Sequence, residues 1–183
     1  MVARLVEYHV APDGLDSLRD EIIERARVPW PAQPGGRKAE FFLVNTASGS
    51  TLSVLIGRDL TVKSAIHPAR PRRNGGVYDV GFLYLGGPKE SGVVDWLGAR
   101  IAWYELFPSH ARIPPASTRS ERAVRHVWMA ALLVARDGKG AVAVTVADDA
   151  DGLENSPASI PTTAGRVEDY DEVTYHFLAY GPC

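Results

Sequence analysis

Hydrophobic and polar positions alternate along residues 2–10. Val2, Arg4, Val6, Tyr8 and Val10 fall on one face, and Ala3, Leu5, Glu7 and His9 on the other. Both faces carry apolar residues, which predicts a strand covered on both sides. The period then changes. Leu15, Leu18, Ile22, Ile23 and Ala26 recur at spacings of three and four, the pattern of an amphipathic helix. Pro12-Asp13-Gly14 turns the chain into it, and Pro29 predicts its end near Arg27, because proline disfavours helical geometry in the residue before it. Two β-rich runs, 39–46 and 52–58, flank Ala47-Ser48-Gly49-Ser50, a hairpin signal. Residues 77–85 read as a fourth strand.

The second half is patterned less regularly. In 93–106, Val94, Leu97 and Ile101 recur on one helical face with Trp96, Trp103 and Tyr104 beside them, which predicts a second helix ended by Pro108. Residues 124–135 and 141–147 predict a hairpin around Asp137-Gly138-Lys139-Gly140. Residues 148–165 are polar and irregular, with room for one helical turn, and 173–180 read as the last strand. The hairpins echo one another: Phe42-Leu43-Val44-Asn45 and Leu52-Ser53-Val54-Leu55 against Leu132-Leu133-Val134-Ala135 and Val142-Ala143-Val144-Thr145. The second half lacks an obvious first strand, so either 77–85 serves both halves or the second is truncated. The pattern predicts an α+β protein of tandem ferredoxin-like units, residues 1–87 and 88–183. The second unit is the shorter and shares sheet with the first.

Composition narrows the function classes. The 183 residues are 45% hydrophobic and 23% charged, an ordinary globular balance. A net charge of −2 supplies no basic field for nucleic acid or an anionic membrane. The single cysteine, Cys183, allows no intrachain disulfide and fits a reducing cytoplasm. No apolar run is long enough to cross a bilayer, and the N-terminus shows no export pattern, so a cytoplasmic protein is expected.

Five histidines carry the candidate chemistry: His9, His67, His110, His126 and His176. None are paired at metal-binding spacing, and no metal site is expected. A metal-dependent enzyme of the vicinal-oxygen-chelate type, with His9 and His126 opening the two halves, is an alternative. His126 and Trp128 alternate on one predicted strand face, a pairing that could bind a flat aromatic and move a proton. His176 lies on the last strand, with Tyr175 on its opposite face. Trp103 and Tyr8 are further aromatic candidates. Arg70, Arg72 and Arg73 in the proline-rich stretch 67–76 could clamp a carboxylate or phenolate. No glycine-rich nucleotide fingerprint is present.

Several of these features together resemble the antibiotic biosynthesis monooxygenase family, the dimeric α/β-barrel proteins. They are the opening strand Arg4-Leu5-Val6-Glu7-Tyr8-His9-Val10, the helix with Pro29, Gln33-Pro34-Gly35-Gly36, and the hairpin Phe42-Leu43-Val44-Asn45 to Leu52-Ser53-Val54-Leu55. The likeness covers the first third of the chain best. It implies an antiparallel α/β-barrel, a homodimer, and oxidation of a polycyclic aromatic polyketide by dioxygen as co-substrate, without metal, haem or flavin. In that chemistry the substrate anion supplies the electrons. The protein supplies a dry cavity, a base and a donor that stabilises the anion. On this view His126 or His176 is the base and Tyr175 or Tyr8 the donor, while Trp103, Trp128 and Arg70 contact substrate. The family's asparagine and tryptophan, four residues apart on the third strand, are replaced here by Ser53 and Gly57, and in the second half by Ala143 and Ala147. Those catalytic residues are therefore not carried over. A non-oxidative cyclase or isomerase using the same pocket is the other alternative.

Overall fold

The computed structural model describes residues 1–27, 37–57, 74–86, 92–94, 97–105, 126–158, 160 and 164–177. Pro29, Gln33–Gly36, the stretch carrying Arg70, and His67, Trp96, His110 and Cys183 lie outside them. The chain forms two compact units that do not divide it at one point. Unit 1 holds Met1–Val77, Pro88–Asp95 and Asp171–Cys183, and unit 2 holds Tyr78–Gly87 and Trp96–Tyr170.

Unit 1 begins with β1 (Val2–His9), a 3-10 turn (Pro12–Gly14) and α1 (Leu15–Arg27). The hairpin β2 (Arg37–Val44) and β3 (Ser50–Gly57) follows. The start of β4 (Asn74–Leu85), β5 (Gly92–Val94) and β10 (Glu172–Phe177) complete its sheet, in the order β5-β10-β2-β3-β1-β4. β3 pairs antiparallel with both β1 and β2, and β10 pairs antiparallel with β2. The order β4-β1-β3-β2 within it is the ferredoxin-like arrangement. Gly49 closes the hairpin with φ +69°, and a Cβ there would lie 2.0 Å from the Val10 carbonyl oxygen. Only glycine meets both demands. Val6, Tyr8, Val10, Phe42 and Val44 from the sheet pack with Leu15, Leu18 and Ile22 of α1. The opposite face is also buried, through Ala3, Leu5, Phe41, Leu43, Val54 and Ile56. Both faces of β1 are covered, as its pattern predicted.

Unit 2 contains the rest of β4, β6 (Gly98–Glu105), β7 (Val127–Ala135), β8 (Gly140–Ala147), α2 (Ala150–Glu154) and β9 (Arg166–Tyr170). Its sheet runs β4-β7-β8-β6-β9 with antiparallel pairs throughout. Phe82, Tyr84 and Ala158 are among the residues packing on one face, against Ala102, Tyr104, Val127 and Leu132. The hairpin at Gly138 and the helical turn within 148–165 both form where the sequence pattern put them.

Three expectations are corrected. The segment 93–106 is not a helix but β5 and β6. Strand β6 is buried on both faces, so apolar residues occupy nearly every position and produce helix-like spacings by coincidence. It is also the first strand the second half seemed to lack. Gly98-Ala-Arg-Ile-Ala-Trp-Tyr-Glu105 repeats Val2-Ala-Arg-Leu-Val-Glu-Tyr-His9, with the same burial pattern. Its register on β8 (Ala99↔Val146) matches that of β1 on β3 (Ala3↔Ile56). Secondly, 166–170 forms β9, which its polar composition concealed. Thirdly, the strand order among the described residues is open, with β5 at one end and β9 at the other, rather than closed into a barrel.

Candidate active site

In unit 1 the sheet face beneath α1 carries a polar stripe in an otherwise apolar layer. Strand register arranges it in rows. Arg4, Leu55, Glu40 and His176 occupy one row, and Val6, Ser53, Phe42 and Thr174 the next. Tyr8, Thr51, Val44 and Glu172 follow. Glu40 is 1% exposed, Ser53 is buried, and Thr51 is 0% exposed. Thr51 Oγ1 has no hydrogen-bond partner among the described residues. A buried hydroxyl left this way costs about 1–3 kcal/mol.

Tyr8 is 1% exposed and sits in the cluster under α1, with its ring 6.2 Å from that of Phe42. Tyr175 and His176 lie on β10, where the backbone register is described and the side chains of 175–177 are not. In backbone register Tyr175 pairs with Phe41 and His176 with Glu40, successive positions of β10. Tyr8 shares the face of His176, but strand spacing and rise set them about 20 Å apart.

The edge of this face is held by charge. Arg19 of α1 donates through Nε to Glu172 Oε2 at 2.7 Å, and its Nη2 also reaches that carboxylate. Its Nη1 reaches Asp16 at 2.7 Å. Asp171 accepts from the Thr46 amide at 2.8 Å and from the Thr46 hydroxyl. Burial pushes the Asp171 carboxyl upward, but the two Thr46 donors, its own backbone amide and the Arg19 charge together hold the group below the usual range.

Unit 2 contains the remaining candidates. His126 precedes β7 and is 48% exposed, with Nδ1 3.1 Å from both Asp148 Oδ1 and Asp149 Oδ2. Asp149 Oδ1 caps α2 by accepting from the Gly152 amide at 2.7 Å. Among the described residues, this trio is a grouping that could hold a divalent cation, and it equally forms a surface ion pair at a helix start. Trp128 was expected to share a face with His126, Ala130 and Leu132. Instead it is the extra residue of a β-bulge between Val127 and Met129. The bulge resets the alternation, so Val127, not Trp128, faces inward with Ala130 and Leu132. Trp103 lies on β6, not on a helix, with the Arg166 guanidinium 3.6 Å over its ring. Its register with Val142, and so with Leu133, puts it about 16 Å along the strands from Trp128. Arg70 lies outside the described residues.

The topology and near-complete overlaps identify the relatives in fold. A presumed monooxygenase from Lactobacillus acidophilus aligns over 96% of this chain and 95% of its own, at TM-score 0.63 and 11% identity. The chain shares the fold of monooxygenase-type proteins. A second presumed monooxygenase, from Fusobacterium nucleatum, aligns over 100% of this chain and 98% of its own, at TM-score 0.58 and 13% identity. An anthrone oxidase-like protein aligns over 96% and 92%, at TM-score 0.52 and 11% identity. No protein-family model matches the sequence, and no curated protein matches it. Among the described residues no helix is long and apolar enough to cross a membrane.

Glu40 was the functional candidate that the sequence pattern concealed. A single carboxylate beginning an apolar run looks like a solvated strand end. Only the pairing of β2 with β10 reveals it as a buried partner in register with a histidine.

Proposed function

We propose that this protein is a cofactor-independent oxygenase acting on a polycyclic aromatic phenol, quinol or anthrone of the polyketide type. The observation that carries the reading is the buried Glu40 with position 176 of β10 as its backbone register partner, in a fold shared with monooxygenase-type proteins. The likeness to an anthrone oxidase-like protein supports a fused-ring substrate. His176 is the general base, because histidine exchanges protons near neutral pH. His126 is the weaker candidate, half exposed and engaged by two aspartates outside any dry layer. In this reading the hydroxyls of Ser53 and Thr51, on the same sheet face, donate to the substrate anion, with Tyr8 at the far end of the stripe.

For an anthrone the balance is simple. His176 takes a proton from the benzylic carbon, and the resulting enolate passes electrons to dioxygen. One oxygen atom becomes the new carbonyl of the quinone and the other leaves as water. No electron source beyond the substrate is required. The protein also pairs with a second copy of itself in this proposal, which its mass in solution would test.

The experiment is dioxygen uptake by purified protein with 1,8-dihydroxyanthrone, in chelator-treated, flavin-free buffer. Uptake above the uncatalysed rate, lost in His176→Ala and kept in His126→Ala, is expected. Substrate conversion without uptake would favour the cyclase or isomerase instead, and uptake undiminished in His176→Ala would remove His176 as the base.

A further inference from the structure

We infer that unit 1 alone carries the ligand face, one site per chain, and that Thr51 is its specificity-determining residue, donating to an oxygen atom of the ligand. The inference rests on the oxygenase reading for the class of ligand, and on strand register and burial for the place. The duplication supplies an internal reference. Tyr8, Thr51 and Val44 stand in one row of unit 1, and Tyr104, Ala141 and Val134 stand in the matching row of unit 2. One row further, Val6, Ser53 and Phe42 match Ala102, Ala143 and Leu132. Thr51 and Ser53 therefore have alanine counterparts, and all four positions are buried. A sheet of this register forms and packs with alanine at both places. The two hydroxyls are not required by the fold, and in an apolar layer they work against it.

Unit 2 also shows what a buried hydroxyl gains where packing alone decides. Thr145 is buried and donates to Ser156 Oγ, which in turn accepts from the Ala158 amide at 3.1 Å. Thr51 is different. Its row neighbours Tyr8 and Val44 pack with Leu15, Leu18 and Ile22 of α1, so it faces the same layer beneath the helix. It is 0% exposed, and its Oγ1 has no hydrogen-bond partner among the described residues. An unmade bond of this kind discriminates between ligands. An anthrone or quinone brings a carbonyl or phenolate oxygen that completes it, whereas a hydrocarbon of the same shape leaves the hydroxyl unpaired. Ala141 and Ala143 offer no donor at the equivalent positions of unit 2.

The test is binding of 1,8-dihydroxyanthraquinone, which dioxygen does not consume, to the full chain carrying ¹³C-methyl threonine and alanine. The methyl signals of Thr51, Ala141 and Ala143 are assigned by single substitutions and followed by NMR. The Thr51 methyl should shift and saturate at one equivalent per chain, with those of Ala141 and Ala143 unmoved. Thr51→Val should weaken binding about tenfold, the most that one neutral hydrogen bond contributes, and Thr51→Ser should restore it. Affinity for anthracene, read by its fluorescence, should not change in either variant. Unchanged quinone affinity in Thr51→Val, a loss that Thr51→Ser does not reverse, or equal weakening of both compounds would overturn the inference. So would an unmoved Thr51 methyl, saturation at two equivalents, or no binding of the quinone. If Thr51→Val does not fold, the wild-type methyl shifts decide alone. Thr51-dependent binding in a protein that consumes no dioxygen would sink the oxygenase reading and leave this site standing, whereas uptake with an unmoved Thr51 would do the reverse.

Discussion

Thr51 illustrates how a single residue separates folding from function. Its hydroxyl is buried without a partner among the described residues, at an expected cost of about 1–3 kcal/mol. Thr51→Val removes that cost at nearly constant shape. Urea unfolding should show stability unchanged or raised by up to about 1 kcal/mol, while binding of a dihydroxyanthrone weakens. A clear loss of stability would mean that the hydroxyl is satisfied. Gly49 and Gly138 make a matched pair. Both have positive φ, +69° and +71°, but a Cβ at 49 meets the Val10 carbonyl oxygen at 2.0 Å and a Cβ at 138 meets nothing within 4 Å. Gly138→Ala should cost about 1 kcal/mol, the left-handed penalty alone, and Gly49→Ala distinctly more. Equal costs in denaturant titrations would contradict this geometry. Asp171 gives a pH signature. Its folded carboxyl is held below its unfolded value, so its contribution is full above the unfolded pKa, near 4, and is lost as pH falls through the folded one. Asp171→Asn should cost roughly 0.5–1 kcal/mol at pH 7, with solvent screening keeping it small, and nothing once wild-type Asp171 is itself protonated. A penalty persisting at low pH would point to packing instead.

At the scale of elements, the turns and α1 were legible because each rests on local chemistry. Gly49 and Gly138 supply the backbone angles, and Leu15, Leu18 and Ile22 draw a stripe at helical spacing that the structure buries. What was not legible depended on partners distant in sequence. Strand β6 lies between β8 and β9, is covered on both faces, and so lost the alternation that identifies a strand. One extra residue at Trp128 moved a candidate wall out of the layer it was assigned to, and no propensity signals a bulge of that kind. Strand β9 is an edge whose Arg166, Val167 and Asp169 face solvent, so its pattern reads as loop. Its attachment is nonetheless specific. Arg100 of β6 forks onto Asp169 at 2.6 and 2.9 Å, a pairing that raises the Arg100 pKa, and Arg166 stacks on Trp103. Hydrogen exchange should therefore find the β6 amides, bonded on both sides, among the slowest in unit 2, with alternate amides of β9 much faster. Rapid exchange through 99–104 would contradict the strand assignment.

For the molecule as a whole, the duplication was visible in the hairpins and the fold class followed from it. The path of the chain was not visible. Residues 1–77 and 78–87 belong to different units although β4 runs through both, and 171–183 returns to unit 1. That return is what gives His176 its place opposite Glu40, so the proposed chemistry depends on a long-range pairing between β10 and β2. The central claim is that this fold oxidises a fused-ring substrate using the substrate's own electrons. The most direct test is mass spectrometry of the quinone formed from 1,8-dihydroxyanthrone under ¹⁸O₂, by protein free of flavin, haem and metal, with the uncatalysed reaction subtracted. The account predicts one ¹⁸O atom per enzyme-formed quinone, the other appearing in water. Product lacking the label, or formed only when a cofactor is added, would contradict it.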